Sequence, residues 1–140
     1  MRWRSIVPAT ALTAKQTGAV TVQYLLMIYA NESEYATLTE AQRGERMAAY
    51  RGFLEALSKA GVLVSSGRLQ ASSNAATVRL ANGKPQVLNG PYADSREQLG
   101  GFLLIDVPDF DAAISWAARC PGSSHGVMEV RPIWQMLPNS

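Results

Sequence analysis

VLNGPYADSREQLGGFLLIDV, residues 87–107, is the stretch from which the architecture of this chain is read. Val87-Leu88 is a short apolar end, and Asn89-Gly90-Pro91 after it are residues that fix a backbone turn. Asp94, Arg96 and Glu97 make the next loop charged. Gly100-Gly101 permits a bulge or a close backbone approach, and Phe102 to Val107 is a hydrophobic strand. Neither nucleotide-binding fingerprint spacing is present, so the glycine pair is not a phosphate loop. The segment is a turn that delivers the chain into a sheet strand.

Upstream, Asn82-Gly83 is the favoured dipeptide of a type I′ hairpin, in which both residues take positive φ. Residues 77–80 should pair with 86–88, with Pro85 at an edge. Val62-Leu63-Val64 starts an earlier strand that runs toward Leu69. Before it, Thr39 and Gln42 have capping-box spacing, and Gly61 suits a left-handed C-terminal cap. Met47, Tyr50, Leu54 and Leu57, with Phe53 beside them, form an apolar stripe between those ends. Residues 39–60 are therefore read as an amphipathic helix, with Arg43, Glu45, Arg46, Arg51, Glu55 and Lys59 on its other faces. TVQYLLMIY, from Thr21, suits a central strand covered on both faces, and Asn31-Glu32-Ser33 breaks it with turn formers.

Downstream, Asp109 is a good N-cap for a second helix whose apolar face holds Phe110, Ala113, Ile114, Trp116 and Ala117. Cys120-Pro121-Gly122 ends it, and Ser123-Ser124-His125-Gly126 is read as a loop. Residues 126–133 form a last strand, with Val127, Glu129 and Arg131 on one face and Met128 and Val130 on the other. Without the hairpin the order is β-α-β-β-α-β. That is the ferredoxin-like α+β arrangement, an antiparallel sheet with two helices on one face. The other face needs a cover, and a second copy packed sheet to sheet supplies it, so a homodimer is expected. Trp134 is a candidate for packing on that second subunit.

The 140 residues are 47% hydrophobic and 17% charged, which describes one globular domain with a sizeable core. Thirteen Lys and Arg against eleven Asp and Glu leave a formal charge of +2, too weak for a nucleic-acid footprint. A single cysteine forms no internal disulfide, and one Cys with one His makes no soft-ligand metal cluster. No apolar run approaches the roughly 20 residues of a membrane span. The expectation is a cytoplasmic domain over residues 21–134, with no metal or cofactor, no membrane and no nucleic-acid partner. Residues 1–20 are read as a flexible extension or a start-site artefact, because Pro8, Thr10, Thr13, Lys15 and Gln16 interrupt any signal-peptide core. Residues 135–140 are a tail.

Three segments, YLLMIY (24–29), NGPYADSREQLGGFLLIDV (89–107) and WAARCPGSSHGVMEVRPI (116–133), resemble in order the YCII-related, or DGPF-domain, proteins. The likeness spans about 22–133. It departs from the family motif at Asn89, where the motif has Asp, and at Tyr92, where it has Phe. The resemblance implies small bacterial proteins of the dimeric α+β barrel type, most without an established activity. A YciI-like branch carries a proposed His–Asp catalytic pair; counting back from Gly61, its His position falls on Tyr50. A tyrosine, with an unperturbed pKa of about 10, is no near-neutral base, and Asn89 offers no carboxylate. The pair is not carried over. Family members are often encoded beside, or fused to, extracytoplasmic-function sigma factors, which implies a regulatory partner as an alternative.

His125 is the one side chain whose unperturbed pKa lies near neutrality, so it is the candidate acid/base, with no pairing partner identifiable from sequence; Asp94 is the other catalytic candidate. A surface histidine with no proton to move is the plainer reading. Tyr50, Asn89, Glu97, Glu129 and Arg131 are candidate ligand-binding residues. Arg96 and Glu97 alternatively form a solvated turn. If Glu129 and Arg131 face inward they form a ligand clamp; if outward, an exposed ion pair worth at most about 1 kcal/mol. Arg68 is a looser candidate of the same kind, and Cys120 is read as a buried spectator. Two functions stand side by side: a homodimer with a small-molecule cleft between the first helix and the sheet, as a binding protein or a weak acid/base enzyme, or a non-catalytic module for a sigma-factor partner.

Overall fold

Tyr24 and Leu26 point to one side of β1 (Val22–Ala30), and Leu25, Met27 and Tyr29 to the other, as the two-residue period of a strand requires. This alternation organises the computed structural model, which describes residues 3–4 and 20–135. The expected extension over 1–20 and the tail over 135–140 lie almost wholly outside the described residues.

Antiparallel β5 (Gln98–Val107) pairs with β1 so that Tyr24 faces Ile105 and Leu26 faces Leu103. On the far side of β5 lies β2 (Leu63–Arg68), and on the far side of β1 lies β6 (Val127–Pro132), giving the order β2-β5-β1-β6, antiparallel throughout. This is the ferredoxin-like sheet. Its core-facing residues, Tyr24, Leu26, Leu103, Ile105 and Val107, are buried with Phe53 and Leu57 of α2 (Glu40–Lys59) and with Ala113, Trp116 and Ala117 of α3 (Phe110–Arg119). Both long helices thus cover the same face. The Trp116 ring meets the edge of Phe53 at 6.2 Å between centroids.

The caps read from sequence are present. Thr39 and Gln42 form the reciprocal capping box of α2, Gly61 takes φ 70 beyond its end, and the Asp109 carboxylate accepts from the Ala112 N–H at 2.8 Å. The glycine pair does serve a bulge. Ile28 pairs with Gly101 and Tyr29 with Leu99, leaving Gly100 unmatched, and a Cβ on Gly101 would stand 2.9 Å from the Gly67 carbonyl oxygen.

Two short helices replace segments read as turn and loop. Asn31 is the N-cap of α1 (Glu32–Ala36): its side-chain oxygen accepts from the N–H groups of Ser33 and Glu34 at 2.9 and 3.3 Å. Turn-forming residues and N-capping residues are the same residues, so the sequence pattern alone did not separate the two. Likewise Gly122–His125 is a one-turn helix, α4, and His125 ends it.

The hairpin forms a separate two-stranded sheet, β3 (Ala76–Ala81) with β4 (Lys84–Asn89), closed by Asn82 at φ 53 and Gly83 at φ 75. One of its faces carries Val78, Leu80 and Val87, which are 61%, 68% and 64% exposed. The second face of β1, expected to be covered, has no cover among the described residues: Leu25, Met27, Phe102 and Leu104 lie half-buried there, in register with one another. Among the described residues no helix is long and apolar enough to cross a membrane.

Candidate functional site

Where α2 leans over the β1-β5-β2 end of the sheet, a cleft of about 910 Å³ opens. Its interior is apolar, built from Ile28, Leu54 and Leu103, with Met47 and Tyr50 along the α2 wall. Its opposite wall is α1 and the 3-10 turn Ser72–Asn74. These pieces are distant in sequence and are tied by polar bonds, most of them part-buried. The Glu32 carboxylate accepts from both the backbone N–H and the hydroxyl of Ser72, at 2.7 and 2.8 Å. Gln98 accepts from the Glu32 N–H at 3.0 Å while its amide donates to the Ser95 carbonyl at 2.8 Å. Because a charge-assisted bond outweighs a neutral one, the Glu32–Ser72 contact is the main fastening of that wall.

At the cleft floor, the Cys120 thiol donates to the Tyr50 hydroxyl oxygen at 3.4 Å. Gly122 lies against both; a Cβ there would meet Ile28 at 2.9 Å. Burial pushes the Tyr50 hydroxyl well above its ordinary pKa, and the bond with Cys120 adds to the shift. Burial likewise raises the Cys120 thiol, against the lowering effect of its bonds to Tyr50 and Gly122. Both stay protonated near neutral pH. Tyr50 is thus a hydrogen-bonding wall residue and not a base, and Cys120 is no nucleophile.

The rim is cationic. Arg43 and Arg46 come from α2 and Arg68 from the end of β2. Arg43 and Arg68 lie over the Tyr35 ring at 5.2 and 5.8 Å from its centroid. Arg68 also donates to the Tyr35 hydroxyl at 3.1 Å, and Arg43 to the Ala36 carbonyl at 3.1 Å.

The structure places the candidate residues in three different locations. Tyr50 and His125 both line the cleft, His125 from the end of α4. Asn89 is the last residue of β4 and exposed, Asp94 is exposed in the loop after it, and Glu97 is half-buried just before β5; none of the three lines the cleft. Within the single chain, then, the cleft holds His125 without Asp94. Glu129 and Arg131 project from β6 on the face opposite Met128 and Val130, which pack on the core, and they bond to each other as an exposed ion pair. Of the two orientations considered for this pair, the outward one is found.

Sequence reasoning assigned Arg43 and Arg46 to a solvated face and did not mark Tyr35 or Glu32. One signal was available. Arg43 precedes Met47, Tyr50 and Leu54 by four, seven and eleven residues, so it continues their helical stripe. The contribution of α1 had no comparable signal, because it depends on contacts across 40 residues of chain.

The model of the YCII-related domain matches residues 22–137. An uncharacterised protein of Rhizobium meliloti is 32% identical over 112 residues, a span covering 79% of this chain and 90% of that protein.

Proposed function

The chain belongs to the YCII-related domain family, and from that premise we propose that it is a small-molecule-binding protein whose site is the cleft between α2 and the sheet. One observation carries this reading: a cleft of about 910 Å³ lined mostly by apolar surface, with a smaller number of polar and charged groups around it, the usual composition of a ligand pocket. The reading includes a homodimer formed through the open sheet face, in the dimeric α+β barrel manner. If the protein is an enzyme, His125 is the proton carrier at the cleft edge, and its acidic companion comes from the substrate or from a second copy.

The test is chemical-shift mapping with small aromatic and aliphatic fragments. Shifts concentrated on Tyr50, Leu54, Leu103 and His125 are expected; fragments that perturb only the open sheet face would remove the proposal. A second reading, a non-catalytic module for a protein partner such as a sigma factor, is favoured by the exposed apolar face of the β3-β4 hairpin. It expects partner binding that Val78→Lys abolishes and that leaves the cleft resonances unmoved.

A further inference from the structure

We infer that the cleft selects an organic anion: a molecule with one anionic head group, carboxylate or phosphate, on an apolar body. This rests on the proposed ligand cleft and adds the chemical class of its occupant. Three guanidinium groups, from Arg43, Arg46 and Arg68, stand on one rim of a chain whose formal charge is only +2. The rim acids neutralise them only in part, Glu32 and Glu34 standing against three arginines. Glu32 is engaged with Ser72, and Glu34 reaches Arg46 alone, at 3.7 Å. Among the described residues, Arg43 and Arg68 have no carboxylate partner within 4.0 Å.

Both are nevertheless held in place. The Tyr35 ring carries the two guanidinium groups together, and like charges gathered in this way repel until an anion joins them. Their donors are largely unspent: Arg43 uses one nitrogen on the Tyr35 and Ala36 carbonyls, and Arg68 gives one bond to the Tyr35 hydroxyl and a weak one to Met47 sulfur at 4.0 Å. A guanidinium has five N–H donors and offers paired ones to a carboxylate or phosphate. Inward from the rim come Met47, Leu54, Ile28 and Leu103, an apolar bed for the remainder of the molecule. The Tyr50 hydroxyl, bonded to Cys120, is the polar group at the floor.

The experiment uses three probes with one body: 4-phenylbutyrate, its amide, and phenylpropyl phosphate, titrated into the full chain by calorimetry with chemical-shift mapping. The acid should bind in the cleft about tenfold or more tighter than the amide, since a charged hydrogen bond is worth at least that factor. Arg68→Gln and Arg43→Gln should each remove about that factor for the acid and leave the amide unchanged. Arg79→Gln, on the hairpin, should alter neither. A phosphate that binds more tightly than the acid identifies a phosphate ester as the occupant, and the reverse identifies a carboxylic acid; both support the inference. Equal binding of acid and amide within the cleft overturns the anion selection while leaving the cleft proposal standing. No cleft shifts with any probe overturns both.

Discussion

At the scale of the residue, the Tyr50 hydroxyl makes stability depend on pH. Burial and the Cys120 bond hold its folded-state pKa above the unfolded phenol value of about 10. The folded chain therefore keeps a proton that the unfolded chain releases. The resulting stabilisation is complete below about pH 10 and is lost as pH rises beyond it. Melting temperature followed by circular dichroism should fall from about pH 9 to 11, and should fall less steeply in Tyr50→Phe. Parallel declines in the two proteins would refute the assignment. At pH 7 the same variant should lose about 1 kcal/mol, the net worth of one hydrogen bond. His125 shows the opposite case, a residue whose type was readable and whose setting was not: its chemistry follows from its pKa, but its place at the end of α4 follows from the fold.

At the scale of the element, the glycines separate into two kinds. Gly44 and Gly52 lie inside α2 with nothing within 4 Å of an added Cβ. Glycine there costs helix entropy without a packing return. Each change to alanine should raise stability by about 0.5–1 kcal/mol, measured by urea denaturation. Gly126, just before β6, is different, since a Cβ would fall 2.0 Å from the Tyr29 carbonyl oxygen. That atom belongs to the backbone of β1 and cannot swing aside. Gly126→Ala should cost more than about 2 kcal/mol and detach the edge strand, visible as early hydrogen exchange across β6. An unfolding midpoint like that of the native chain would contradict the close approach.

At the scale of the whole molecule, the open sheet face is an apolar surface that nothing covers among the described residues. Leu25 pairs with Leu104 and Met27 with Phe102 across its centre, with Arg131 and Glu129 beside them on β6, so a charge placed at Leu104 falls within the apolar part of the face. Light scattering at micromolar concentration should give twice the chain mass, and Leu104→Glu should return it to one. A native chain that scatters as a monomer would remove the dimer. The same variant should retain its helical signal, because Leu104 faces away from the buried core formed with α2 and α3.

Local chemistry is written locally, and so the sequence by itself determined the long helices, their Thr39 and Asp109 caps, the Asn82-Gly83 hairpin and the bulge at Gly100. Each depends on residues within a few positions of one another. Periodicity and element order were also enough for the ferredoxin-like topology, since a strand–helix–strand–strand–helix–strand chain has few ways to bury its apolar stripes. The turn that opened the reading, residues 89–91, proved to be a support: the Gly90 N–H donates to the Ala75 carbonyl at 2.7 Å and anchors the hairpin base. Only the tertiary structure decided the cleft. Glu32 meets Ser72, Arg68 meets Tyr35, and Cys120 meets Tyr50, across 40, 33 and 70 residues. No spacing rule encodes such pairs, because they are set by how the sheet and the helices pack, after every local choice has been made.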